Sequence, residues 1–210
     1  MNINEAIKKI KSEAKAKFVE SVEAHINLQL DAKSQAIRTS INLPHGTGKE
    51  LKIVVIAVDY DLQLEKQFAD VKFGNEDMIK DIASNKMKTS EIDLIISTPA
   101  TMPKLAVAAR ILGPLGLMPN PKSGTVVDPT KLSEVIATFK KGKVEIRTQH
   151  DLPIIHTSIG KVTFSEEQLV ENFNALFEAV KANKPAKTKP EWIKSAYVST
   201  TMGKGVKVEV

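Results

Sequence analysis

The hydrophobic period of this chain changes twice, and that change limits its possible folds more than any other feature. Val22, Ala24, Ile26, Leu28 and Leu30 alternate with Ser21, Glu23, His25, Asn27 and Gln29. Alternation sends neighbouring side chains to opposite faces and predicts a half-buried strand with one wet face. Ile37, Thr39, Ile41 and Leu43 repeat the pattern and stop at Pro44-His45-Gly46. From Leu51 to Ala57 the chain is almost continuously apolar, as a strand covered on both faces requires. Then the texture shifts. Helical segments over 61–70, 76–84, Thr101–Ile111 and from about Asp128 to Phe139 surround a short buried strand at Ile92–Ser97. Alternation returns at Ile154–Phe164, interrupted near Gly160, and in two closing strands, Trp192–Thr200 and Val206–Val210. Between them, Ser165 and Gln168 form a capping box ahead of a helix with Leu169, Val170, Phe173, Leu176, Phe177 and Val180 on one face. An amphipathic helix over 3–16 and a solvated turn over 183–190 complete the outline.

Half-wet strands that bracket a strand–helix stretch predict a domain inserted within a domain. The expected fold class is α/β with two domains. Residues 1–57 and 147–210 form a discontinuous α+β sandwich, and residues 58–146 form an inserted three-layer parallel α/β (Rossmann-like) domain. Charge follows the same division. The outer pieces hold 18 Lys/Arg and 13 Asp/Glu, whereas the insert holds 12 of each. The whole formal excess of +5 therefore lies on the outer domain, the better candidate for touching a polyanion. Aromatic residues make up only 5%, so a stacking platform for single strands is not expected.

Several chemistries find no footing. There is no Cys, which excludes disulfides, thiolate metal sites and cysteine nucleophiles. No apolar run approaches the 18 or so residues of a membrane span, and the N-terminus has neither signal-peptide nor transit-peptide character. Gly46-Thr-Gly-Lys49 suggests a phosphate loop, but Leu43 stands where its first Gly belongs and Glu50 where a hydroxyl should bind magnesium. His25, His45, His150 and His156 show no metal-ligand spacing and read as surface or structural. No nucleophile elbow is present, and Glu166-Glu167 is explained by the helix N-terminus it occupies. No enzyme activity, cofactor or metal is expected. The competing reading is a small α/β nucleotide-binding enzyme with residues 58–146 as its core.

Gly113-Pro-Leu-Gly-Leu-Met-Pro-Asn-Pro-Lys-Ser-Gly-Thr125 holds three glycines and three prolines among apolar anchors. It reads as a rigid, shaped loop or, equally, as a buried connection. From Ile111 to Val126 this stretch resembles the signature of the ribosomal protein L1 family of the bacterial-type large subunit. Lys17-Phe-Val-Glu-Ser21, Leu43-Pro-His-Gly-Thr-Gly-Lys49 and Thr200-Thr-Met-Gly203 fall in that family's order and at about its spacing. The resemblance runs from about residue 14 to the C-terminus.

The resemblance implies an rRNA-binding surface made of Lys17, Phe18, Ser21, Glu23, Lys161, Ser195, Thr200, Thr201, Met202 and Gly203. In it Ser21, Ser195, Thr200 and Thr201 would donate to phosphates or ribose 2′-hydroxyls. Gly203 would admit an RNA backbone, and Met202 would pack on a sugar or base. Structured RNA is read by shape and 2′-hydroxyls, which suits such groups. Read from the residues alone, Phe18 and Met202 are more readily core caps and the hydroxyls turn residues; the resemblance tips the balance the other way. The family has Arg where Leu115 stands, which weakens any grip of that loop on phosphate. It has Pro where Lys204 stands, so this chain carries an added charge and a looser turn there. The implied role is that of a protein of the mobile stalk of the large subunit, binding its rRNA beside the E site. It would assist release of deacylated tRNA and repress translation of its own mRNA. The implied setting is the cytoplasm, or an organelle's interior, as a monomer when free.

Overall fold

The computed structural model describes residues 1–31, 35, 37–58, 60, 62–84, 89–149, 152–185, 188 and 191–209. In chain order these form α1 (Ile3–Glu13), β1 (Ser21–Leu28), β2 (Arg38–Asn42), β3 (Ile53–Ile56), α2 (Gln63–Gln67), β4 (Lys72–Gly74), α3 (Glu76–Ala83) and β5 (Leu94–Ser97). There follow α4 (Met102–Leu105), α5 (Ala109–Leu112), α6 (Leu132–Lys140), β6 (Lys143–Arg147), β7 (Ile154–Lys161), α7 (Glu166–Ala182), β8 (Ile193–Thr200) and β9 (Val206–Val208). His150, position 61 of an expected helix, part of the expected turn over 183–190, and Val210 at the end of the expected closing strand lie outside the described residues. The chain divides into two compact units, Met1–Lys49 with Lys141–Val210, and Glu50–Lys140. Among the described residues no helix is long and apolar enough to cross a membrane.

The first unit is built on β1. Its main sheet has the order β7-β1-β8-β9, and every pairing is antiparallel. Val22, Ala24 and Ile26 point to the core and are fully buried, while Ser21, Glu23, His25 and Asn27 face the other way and are half-buried. α1 covers the core face with Ala6, Ile7 and Ile10, and α7 does so with Leu169, Phe173, Leu176 and Val180. The capping box that begins α7 is formed as the sequence predicts. Ser165 Oγ accepts the Gln168 N–H at 3.2 Å, and Gln168 Oε1 accepts the Ser165 N–H at 3.0 Å. Two otherwise unpaired donors at the helix start are satisfied together. A two-stranded ribbon of β2 and β6 adds Ile41 and Ile146 to the same core, with Arg38 and Glu145 ion-paired on it.

The second unit is a three-layer α/β fold. Its parallel sheet has the order β4-β3-β5. Ile53 and Val55 pack on one face against Leu132, Ile136 and Phe139 of α6, together with Leu64 of α2. Val54 and Ile56 pack on the other against Ile79, Ile82, Leu105, Ala108 and Leu112. With both faces covered, β3 is apolar at every position, and all four of its residues are buried.

The structure moves the expected junctions. β3 lies in the middle of the second unit's sheet, so the boundary falls at Lys49/Glu50 rather than 57/58. β6 pairs with β2 of the first unit, so the return falls at Lys140/Lys141 rather than 146/147. Neither β4 nor β6 is among the expected strands. Lys143-Val-Glu-Ile-Arg147 does alternate, but it follows directly on the helix-ending Gly142 and is only five residues long. The helix expected over Thr101–Ile111 is broken into α4, a 3-10 turn at Ala106–Ala108, and α5. Leu105 and Ala108 are both buried at a spacing of three, which suits the tighter turn. Asp128 precedes a 3-10 turn at Pro129–Lys131 without a side-chain cap bond, and α6 starts only at Leu132. The expected helix over 61–70 shortens to α2.

Candidate functional site

One end of the main sheet is tied together by a residue outside the expected set. Glu20, directly before β1, is only 2% exposed although exposed Phe18 and Val19 precede it. Its Oε2 accepts the Met202 N–H at 2.9 Å, and its Oε1 accepts the Ala16 N–H at 3.3 Å. Its backbone carbonyl accepts the Val162 N–H at 3.0 Å. One residue thus holds the 200–203 turn, the run after α1 and the start of the turn after β7 in one place. The Met202 N–H, above all, holds its carboxyl below the usual glutamate range; burial pushes the other way, and the Thr200 hydroxyl and Ala16 N–H assist.

Ser21 and Thr201 complete the tie. The Ser21 N–H donates to Thr201 Oγ1 at 3.0 Å, and the Thr201 N–H donates to the Ser21 carbonyl at 3.1 Å. Thr201 Oγ1 also lies 3.3 Å from that carbonyl, so this hydroxyl is engaged within the turn. Ser21 pairs with Lys161 across β7. At Gly203 a Cβ would sit 2.3 Å from Thr200 Oγ1, so any larger residue would force that buried side chain to move.

The ten expected residues do not form one cluster. Lys17, Phe18, Ser21, Lys161, Thr201, Met202 and Gly203 meet at the β1 start. Phe18 is 56% and Met202 74% exposed, so neither is a core cap. Thr200 does not share their surface. It pairs with Val22, points to the core side and is buried; its hydroxyl influences the Glu20 carboxylate without a hydrogen bond of ordinary geometry and does not reach outward. Glu23 stands next along the wet face, opposite Ser199 and Ser158. Ser195 pairs with Asn27, six positions along β1 from Ser21 or about 20 Å away at the rise of a strand, and accepts a hydrogen bond from Asn27 Nδ2 at 2.9 Å.

Between these two ends the wet face carries a polar ladder. His25 Nε2 lies 2.9 Å from Ser199 Oγ, and His25 Nδ1 lies 2.7 Å from His156 Nδ1. Burial lowers the His25 pKa, the neighbouring His156 lowers it further, and Glu23 opposes both. A lone polar residue ahead of a strand carries no periodic signal. Glu20 is therefore legible in the sequence only as one letter of Lys17-Phe-Val-Glu-Ser21.

The two glycine-bearing loops prove to be structural devices. Gly48 adopts φ 68°, and a Cβ there would lie 2.8 Å from the Phe164 ring. A Cβ at Gly142 would lie 2.3 Å from the Gly46 Cα. Asn172, fully buried in α7, fixes this crossing. Its Nδ2 donates to the carbonyls of Gly46 at 2.9 Å and Ile159 at 2.7 Å, and its Oδ1 accepts the His45 N–H at 3.1 Å. In the second unit, Asn120 knots the Gly/Pro stretch. Its N–H donates to Thr125 Oγ1 and its Oδ1 accepts the Lys122 N–H, both at 2.8 Å. Ser123 and Thr125 are buried beneath it, while Leu115 is 53% exposed.

Residues 9–204 match the model of the ribosomal protein L1p/L10e family. The chain is 42% identical, over its whole length and 89% of the relative, to large ribosomal subunit protein uL1c of Phaeodactylum tricornutum (strain CCAP 1055/1). It is 43% identical to large ribosomal subunit protein uL1 of Prochlorococcus marinus (strain MIT 9215), over 98% of this chain and 86% of that one. Large ribosomal subunit protein uL1c of Trieres chinensis is 39% identical over the whole of this chain and 89% of its own length.

Proposed function

The chain belongs to the ribosomal protein L1p/L10e family, and from that premise we propose that it binds large-subunit rRNA of the mobile stalk through the end of the first unit's sheet. It is a large-subunit ribosomal protein and not an enzyme, since the relatives are ribosomal proteins by name. The carrying observation is the Glu20 tie. It holds Met202 and Phe18 outward on a fixed backbone beside Ser21 and Lys161. An apolar side chain that is 74% exposed on a backbone pinned at both neighbours is a surface prepared for a partner. Lys17 and Lys161 supply charge for phosphates, and Ser21 supplies a hydroxyl for ribose. Glu23 extends the contact one step along the wet face, whereas Ser195, buried and bonded to Asn27 at the far end of the strand, stands outside it.

Shape reading follows from this composition. Two or three lysines reach phosphates, and the remaining groups recognise a surface. The same binding would serve the further roles implied for this site: passage of deacylated tRNA out of the E site, and repression of the chain's own mRNA through a similar RNA fold. The place of action is the ribosome, in the cytoplasm or an organelle's interior.

The direct test is binding to the stalk rRNA fragment against an unrelated hairpin of equal length. A preference that persists as salt rises supports shape reading. A preference that vanishes means generic polyanion attraction and removes the proposed site.

A further inference from the structure

The polar ladder on β1 holds a feature that RNA binding does not use. β1 and β7 set His25 directly opposite His156. Their Nδ1 atoms lie 2.7 Å apart, with ring centroids 4.9 Å apart and planes inclined by 64°. At that distance one ring N–H donates to the facing nitrogen, so a single proton separates two nitrogen donors that already stand at chelating distance. The far side of His25 decides its tautomer. Its Nε2 lies 2.9 Å from Ser199 Oγ and 4.0 Å from the Glu23 carboxylate. The carboxylate favours an N–H on Nε2, which donates to Ser199 and leaves the Nδ1 lone pair aimed at His156. An imidazole whose second nitrogen donates into a polar, carboxylate-bearing shell is oriented as metal-ligating histidines are.

We infer that His25 and His156 form a two-imidazole chelate, through their Nδ1 atoms, for a late first-row divalent cation, copper(II) or nickel(II) ahead of zinc(II). Bonds of about 2.0–2.1 Å put two ligating nitrogens about 2.9 Å apart at a right angle and about 3.4 Å apart at the tetrahedral angle. The pair already stands close to the first value, so square-planar or octahedral cis sites require the smallest movement. His156 is exposed, and its ring can supply that movement. Copper(II) also heads the affinity order for nitrogen ligands. When the metal enters, the Nδ1 proton of His156 passes to its solvent-facing Nε2, so two neutral imidazoles bind without net proton release. Tyr197 opposite His25, and Lys207 opposite Tyr197, are the other polar groups of this part of the face. No group of three His, Cys, Asp or Glu that could hold a metal exists among the described residues, so water completes the coordination and the site binds more weakly than one with three protein ligands. Magnesium and calcium, which need oxygen ligands, are excluded.

The test is titration of the untagged full chain with copper(II) in a non-coordinating buffer, read by calorimetry and electron paramagnetic resonance. One saturable site with hyperfine splitting from two imidazole nitrogens is expected, lost on acidification to pH 5 as protons compete. His156→Ala and His25→Ala should each weaken it at least tenfold, and Glu23→Gln severalfold through the lost second-nitrogen orientation. His45→Ala should leave it unchanged. Binding only at millimolar metal, a spectrum with fewer than two nitrogens, or a site that survives His156→Ala overturns the assignment. The wild-type nitrogen count decides the matter even if a variant fails to fold.

Discussion

The two units solve the same packing problem in opposite ways. The second closes its parallel sheet on both faces with helices, leaving loops as its exposed backbone. The first covers one face with α1 and α7 and leaves a half-buried row, Ser21, Glu23, His25 and Asn27, on the other. A sheet closed on both faces gains apolar burial but has no flat surface to offer. A sheet with one wet face gives up part of that burial, and its strands can carry a regular array of polar groups at fixed spacing. Charge follows suit: with the boundaries the structure defines, the second unit has 11 Lys/Arg against 12 Asp/Glu, and the first has 19 against 13.

The widest gap should appear when the units are separated. Replacing residues 50–140 by a short Gly/Ser bridge should leave a folded first unit with most of its affinity for the stalk fragment, measured by filter binding. Isolated 50–140 should show none above background. Closure cost grows slowly with loop length, and Gly46 and Gly142 already touch at the crossing. Affinity retained by the insert alone would reverse the assignment of roles.

Core truncation should separate the units by a smaller margin. Ile56→Ala in β3 and Ile26→Ala in β1 should each destabilise their own unit by about 2–5 kcal/mol, read by denaturant melts. Only Ile26→Ala should also impair RNA binding at 37 °C. Equal loss of binding from both would mean that the second unit carries part of the interface.

Met202→Asp should lower stalk-RNA affinity by roughly tenfold or more with an unchanged melt, since it sets an anion against phosphates at an exposed position. Unfolding instead would place Met202 in the packing of the first unit. Glu20→Gln should have a milder effect, a several-fold loss of affinity, because it weakens the acceptor for the Met202 N–H. The acid limb provides its signature. The folded-state pKa of Glu20 is below its ordinary value of 4.5, so its stabilising contribution is complete above that value and disappears as pH falls through the lowered one. In Glu20→Gln that part of the acid transition should flatten.

The smallest effect concerns salt. If Lys17, Lys161 and Lys204 are the phosphate contacts, the log–log salt slope should be about −2 to −3, and Lys17→Ala should flatten it by about one. Thr201→Val should lower affinity without changing the slope, because its hydroxyl holds Ser21.

The sequence made the larger architecture readable wherever burial imposed a period. β1 and β3 differ in the way their patterns foretold, one alternating and the other apolar throughout. Ser165 and Gln168 foretold the start of α7 because a capping box is local chemistry. β6 was invisible because its partner, β2, lies about a hundred residues earlier, and a five-residue strand declares itself only through that partner. The junctions slipped for the same reason. At the site, exposure of Phe18 and Met202, burial of Thr200 and the role of Glu20 all depend on which strand ends meet, and no local pattern records that.

The position of β1 also has a consequence in time. It is one of the two inner strands of its sheet, yet its neighbours β7 and β8 end at Lys161 and Thr200. At a synthesis rate of about 5–20 residues per second, β1 emerges roughly ten to thirty seconds before its second neighbour exists. Residues 50–140, with both of their cores internal, are complete well before then, so the guest is able to fold before its host. Until Lys161 is made both edges of β1 lie open to other chains, and one edge stays open until Thr200. The polar row that later forms the wet face then also serves to keep the nascent strand in solution.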